Sequence, residues 1–117
     1  MPNKIVAVLD DLMFTVKISD AAKRAGIPVE FVKTAEDALR RADGAAAMIL
    51  DLNFAPATLI VDMKSGESTR SIPIIGYVSH VQTDVIMQAK QSGCDTVMAR
   101  SAFVQKLGEM MQSFATT

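Results

Sequence analysis

Ala46-Ala47-Met48-Ile49-Leu50 is apolar without a break, and Asp51 ends the run. A continuous apolar stretch of this length, bounded by a carboxylate, reads as a strand buried on both faces that delivers its last side chain to the rim of a sheet. A second run, Ile5-Val6-Ala7-Val8-Leu9, ends the same way in Asp10-Asp11. Two such strands demand a sheet covered on both sides, which restricts the chain to architectures with helices packed on each face.

The remaining segments supply those helices. After the first strand, residues 4–9, an apolar stripe at Phe14, Ile18, Ala21, Ala22 and Ala25 has helical spacing, and Gly26 with Pro28 stops it. Val29–Lys33 is a short, partly polar strand suited to a sheet edge. Thr34 is placed to cap a helix carrying Ala35, Ala38, Leu39 and Ala42 on one side before Gly44. Past the central strand, Pro56 opens a helical segment to about Lys64, and Ser65-Gly66-Glu67-Ser68 marks a loop. Pro73 leads a buried strand, Ile74–Val78, and Gln82–Ser92 reads as a helix with Val85, Ile86 and Ala89 inward and Gly93 at its end. Thr96–Ala99 is the fifth strand, and Ser101 is expected to cap a last helix bearing Phe103, Leu107, Met110, Met111 and Phe114.

Five strands alternating with five helices predict an α/β fold: a flavodoxin-like, doubly wound, five-stranded parallel sheet of order 2-1-3-4-5, with residues 1–117 as a single domain. The net charge is −1 and the basic residues are scattered, so nothing supplies an electrostatic footprint for nucleic acid or an anionic membrane. Cys94 is the only cysteine and no secretory leader pattern is visible, which points to a reducing cytoplasmic compartment. The apolar stretches are too short to span a bilayer.

In the 2-1-3-4-5 order the first and third strands are neighbours, so Asp10, Asp11 and Asp51 are expected to converge in the crevice beyond the strand ends. Clustered carboxylates resist ionising together unless a cation lies between them, and a hard ion bound through oxygens, Mg²⁺ above all, relieves the repulsion. With such a cation present Asp51 could act as a nucleophile toward a phosphoryl donor. The alternative is that these acids serve only to end strands and cap helices, a reading that suits one such acid better than the doublet and singlet together.

Leu9-Asp10-Asp11, Ala38-Leu39, Ile49-Leu50-Asp51-Leu52-Asn53, Ile72-Pro73-Ile74-Ile75 and Ser92-Gly93-Cys94-Asp95 occur in an order and approximate spacing that resembles the receiver domain of bacterial two-component response regulators. The resemblance covers almost the whole chain. It implies a phosphorelay role in signal transduction rather than enzyme turnover. Asp51 would be the phosphoacceptor, Asp10 and Asp11 would hold Mg²⁺ directly or through water, and the Asn53 backbone carbonyl would complete the metal site. Implied partners are a sensor histidine kinase or other phosphodonor and a downstream protein bound on the face of the fourth helix, fifth strand and fifth helix, the chain itself being a monomer or weak homodimer. With the sequence ending just after the fifth helix, output is expected to act in trans or to belong to a region outside this sequence.

Several positions depart from that family. The hydroxyl residue at the end of the fourth strand falls at Val78, which cannot donate a hydrogen bond. Ser79 lies next door but on the opposite face unless a bulge at Gly76 shifts the register. The switch aromatic falls at Val97, and the Lys-Pro pair at Arg100-Ser101, where Arg100 would contact phosphate or form a standing ion pair with an acid of the site. Phe54-Ala55-Pro56-Ala57-Thr58 replaces a Gly-rich loop. These departures keep open a second reading, a pseudo-receiver that works as a phosphorylation-independent interaction module. A small phosphate-ester hydrolase is disfavoured because no dedicated base is visible.

The other notable residues read as structural. His80, the single histidine, is expected in a solvated loop on the same rim, Cys94 as a packed small residue, and Met110 and Met111 as gap-fillers. Tyr77 is expected to be a core aromatic whose hydroxyl reaches the rim.

Overall fold

The computed structural model describes residues 4–79 and 82–116. The elements are β1 (Lys4–Val8), α1 (Leu12–Ala25), β2 (Val29–Val32), α2 (Ala35–Arg41), β3 (Ala45–Asp51), α3 (Ala57–Ser65), β4 (Ile74–Val78), α4 (Thr83–Ser92), β5 (Thr96–Ala99) and α5 (Arg100–Ala115). All strand pairings are parallel and the order is β2-β1-β3-β4-β5, as the alternation of apolar runs and helical stripes predicts. The central strands β1, β3 and β4 are buried almost throughout, whereas the edge strands β2 and β5 are partly exposed.

Successive residues of a strand alternate between two cores. Ile5, Ala7, Ile49, Ile75 and Tyr77 face α1 and α5, where Phe14, Ile18, Phe103, Leu107 and Met111 meet them. Val6, Val8, Met48, Leu50, Ile74 and Val78 face the other layer, packed by Ala38, Leu59, Ile60, Met63 and Ala89. Met111 is completely buried, as are Met48 and Met63, which fits gap-filling in a core rich in alanine, whereas Met110 is only partly buried. No helix among the described residues is long and apolar enough to cross a membrane.

One local feature differs from expectation. Ser101 is not the cap of α5: β5 runs straight into the helix, the cap position is Ala99, and no side chain caps it. With no loop residue between strand and helix, Arg100 becomes the first helical residue. Gly76 introduces no bulge, since β4 pairs with β3 and β5 without a register shift. It gives room to Leu52 instead, because a Cβ at Gly76 would lie 2.6–2.8 Å from Cδ1, Cγ and Cδ2 of that side chain. Ser79 lies just beyond the end of β4, in a bend.

Candidate functional site

Asp51 is the last residue of β3 and is 9% exposed. The chain turns sharply after it. The Asp51 carbonyl accepts hydrogen bonds from the N–H groups of Phe54 (3.0 Å) and Ala55 (2.8 Å), and its Oδ1 accepts from Asn53 N–H at 3.0 Å. Among the described residues nothing donates to its other carboxylate oxygen. Burial pushes the Asp51 carboxyl above its ordinary value of 3.8; the Asn53 N–H and the Arg100 charge oppose that rise, and the Asp11 charge adds to it.

Asp11 has two tasks at the start of α1. One oxygen caps the helix by accepting from Phe14 N–H at 3.2 Å, and the other accepts from the Arg100 guanidinium at 2.8 Å. The Phe14 N–H, aided by Arg100 and opposed by partial desolvation, holds Asp11 below the usual carboxylate range. Arg100 reaches this position from the first turn of α5, with its guanidinium carbon 4.0 Å from the centre of the Phe14 ring. A cation stacked on an aromatic face while paired to a carboxylate is fixed in two directions.

The fold thus brings Asp11, Asp51 and Arg100 to one corner, while Asp10 turns away. Its exposed carboxylate pairs with Lys33 just after β2, 3.3 Å distant. Asp10 sits opposite that basic residue because β1 and β2 are neighbours, so the three acids do not share one direction. Among the described residues, no group of three or more His, Cys, Asp or Glu side chains is disposed to hold a metal ion. Divalent chemistry does not need three acids: Mg²⁺ is commonly held by one or two carboxylates and several waters. Asp11, Asp51 and the Asn53 carbonyl supply oxygen donors of the right kind, so the residues fit such an ion on condition that Arg100 releases Asp11.

Val78 is buried and Val97 partly so, both in the core layer opposite Asp51's corner, where neither has a polar atom to offer. Ser79 contributes its backbone N–H, which donates to the Asn53 side-chain oxygen at 2.7 Å, and the Asn53 amide nitrogen donates to Gln82 Oε1 at 3.1 Å. His80 lies outside the described residues. Cys94 is buried with its thiol directed at the carbonyls of Thr96 (3.2 Å) and Ile74 (3.6 Å), and burial raises its pKa, which suits an inert packed thiol.

Two features escaped the sequence. Tyr77 pairs in register with Asp51 and stacks between Phe14 (4.9 Å) and Phe103 (4.8 Å), so that the ring on which Arg100 rests is itself backed by aromatics. Its hydroxyl does not reach the rim: the residue is 1% exposed and the hydroxyl has no hydrogen-bond partner among the described residues. Burial and the nearby Asp51 charge push its pKa well up. The Asn53 side chain likewise joins two loops through bonds that link residues 26 and 29 positions apart. Only the Asn and Gln letters were visible beforehand, with nothing in local periodicity to pair them.

No protein-family model and no curated protein sequence matches the chain. Solved structures do. A response regulator from Hahella chejuensis superposes with a TM-score of 0.81 at 20% identity, covering 98% of this chain and 96% of that one. The receiver domain of a sensor histidine kinase from Pseudomonas aeruginosa, described with a magnesium ion coordinated in its active-site cleft, gives 0.80 at 19% identity over 100% of both chains. A response regulator receiver domain from Rhodospirillum rubrum gives 0.76 at 19%, covering 97% and 94%. At such identities the agreement is one of backbone and topology. The chain has the fold of response-regulator receiver domains.

Proposed function

We propose that this chain is a receiver-type signalling module that accepts a phosphoryl group on Asp51 and acts by binding another protein. The observation that carries the reading is the placement of Asp51: the last residue of the central strand of a receiver fold, with one oxygen held by Asn53 N–H and a cation, Arg100, in the same corner. In the transfer, the free oxygen of Asp51 attacks phosphorus and forms an acyl phosphate. The bond from phosphorus to the donor breaks, and the leaving group departs with the electron pair and takes up a proton. Asn53 N–H orients the nucleophile, and Arg100 contributes positive charge toward the phosphoryl oxygens.

Mg²⁺ would be held by Asp11, Asp51 and the Asn53 carbonyl, with Asp10 joining through water only on leaving Lys33, and when bound it would neutralise charge on the carboxylates and the incoming phosphate. The donor would be a sensor histidine kinase or another phosphodonor. A downstream partner would dock across α4, β5 and α5, where Met87 and Val104 expose apolar surface. The module would work in the cytoplasm without catalysing a separate reaction, as one domain, monomeric or weakly dimeric.

Incubation with Mg²⁺ and a small acyl phosphate, followed by intact-mass measurement, tests this reading. A gain of one phosphoryl group in the wild type and none in Asp51→Asn is expected; an unmodified wild-type protein would refute it. Two observations favour a second reading, a phosphorylation-independent interaction module. Arg100 already neutralises Asp11, and both positions of the usual hydroxyl–aromatic relay are valines in an apolar core.

A further inference from the structure

The side chain of Asn53 makes contacts that a mere carbonyl donor would not need. Its backbone N–H donates to Asp51 Oδ1 (3.0 Å), its side-chain oxygen accepts from Ser79 N–H (2.7 Å), and its side-chain nitrogen donates to Gln82 Oε1 (3.1 Å). The orientation of the amide follows from the chemistry. Ser79 N–H can only donate, so the oxygen must face it, and the nitrogen is then left to donate to the side-chain oxygen Oε1 of Gln82. Gln82 is the N-cap residue of α4. Its side chain makes no capping bond, while its carbonyl accepts the helix-opening bond from Ile86 N–H at 3.1 Å.

We propose that Asn53 is a positioning residue that couples the state of Asp51 to the end of β4 and the start of α4, in place of a hydroxyl–aromatic relay. The proposal rests on Asp51 being the regulated acid. One residue carries the contact to Asp51 on its backbone and both outward contacts on its side chain, so a turn of its peptide plane that follows the carboxylate also moves the amide head. Forming the acyl phosphate on Asp51 weakens Oδ1 as an acceptor, since the carboxylate charge that strengthened the bond is lost. Val78 and Val97 have no polar group with which to carry the same change. Asn53 and Gln82 are exposed, so the clamp can open without disturbing either core.

A double-mutant cycle read by backbone amide NMR on the full chain tests the coupling. Asp51→Ala is introduced into the wild type, into Asn53→Ala and into Gln82→Ala. In the wild-type background, removal of the carboxylate shifts the amides of Ser79, Thr83 and Asp84. In Asn53→Ala those responses are lost while the Leu52 amide still responds. In Gln82→Ala the Ser79 response survives and the Thr83 and Asp84 responses are lost. Ser79 N–H also exchanges with solvent faster in Asn53→Ala, having lost its acceptor. Equal shifts along α4 in the wild-type and Asn53→Ala backgrounds would overturn the inference, and so would an α4 that ignores Asp51→Ala in the wild type. The cycle uses no phosphodonor, so failure of the mass experiment and failure of the coupling are separate results.

Discussion

Gly76→Ala isolates a single steric contact beside the site. Gly76 does not adopt a positive φ, so alanine is permitted by the backbone and only the new methyl group matters. That methyl would meet three atoms of Leu52 at 2.6, 2.7 and 2.8 Å, the whole branched end of the side chain. Carbon atoms in contact sit about 3.5–4.0 Å apart, so Leu52 would have to retreat by roughly 1 Å. It has little room, being 8% exposed with its backbone N–H bonded to the Tyr77 carbonyl at 2.9 Å. Overpacking of this kind costs about 1–3 kcal/mol. Loss of glycine's freedom in the unfolded chain returns roughly 0.4–1 kcal/mol, leaving a net destabilisation of about 1–2 kcal/mol. In a domain of this size that lowers Tm by about 4–8 °C. Urea unfolding measures it as a lower midpoint with an unchanged m value. Leu52→Ala should cost less in the Gly76→Ala background than in the wild type, because it removes the clash. Since Leu52 directly follows Asp51, the Asn53 amide resonance should move as well. A Gly76→Ala protein as stable as the wild type, or strictly additive costs, would show that Leu52 does not need the space at Gly76.

The two acids of the corner respond to pH in opposite senses. Asp51, with its pKa raised, destabilises the fold only when ionised: the penalty is absent well below 3.8 and grows as pH rises from there through the folded value. Asp51→Asn should therefore be more stable than the wild type near neutrality and gain nothing in strong acid, as denaturant midpoints across pH will show. Asp11, with its pKa lowered, contributes stability above 3.8 that is lost as pH falls through the folded value, so Asp11→Asn should be less stable near neutrality. Tyr77→Phe keeps the aromatic stack and removes a buried, unpartnered hydroxyl; its stability should equal the wild type or exceed it by about 1 kcal/mol, whereas Tyr77→Ala should lose about 3–5 kcal/mol. Arg100→Ala should cost about 0.5–1 kcal/mol through the lost stack on Phe14. It should also let the Asp11 pKa rise toward 3.8 in carboxyl NMR titrations and strengthen Mg²⁺ binding at the corner; an unchanged Asp11 titration would count against the ion pair.

The fold was legible because it depends on patterns local to each element. The unbroken apolar runs ending in Asp10-Asp11 and in Asp51 required a doubly covered parallel sheet, and the stripes from Phe14 to Ala25 and from Phe103 to Phe114 supplied the helices that cover it. The cap at Thr34 was equally readable, since its hydroxyl accepts from Asp37 N–H only three residues away. Ser101 failed as a cap because the length of the turn after β5, here zero residues, is set by how α5 packs back on the sheet. For Gly76 the letter was informative and its cause was not: the neighbour that needs the space, Leu52, belongs to another strand's end.

At the site, sequence alone dictates which groups arrive at the carboxyl rim: two neighbouring acids after β1, one acid at the end of β3 and a cation where β5 meets α5, with only apolar side chains at positions 78 and 97. What those groups do there was decided by the tertiary structure. Asp10 pairs with Lys33, Asp11 with Arg100, and Asn53 with Ser79 and Gln82, across separations of 23, 89, 26 and 29 residues. Strand and helix periodicity specify a face within an element. A contact between side chains on different loops depends on strand order, register and rotamer together, and these exist only once the sheet has assembled.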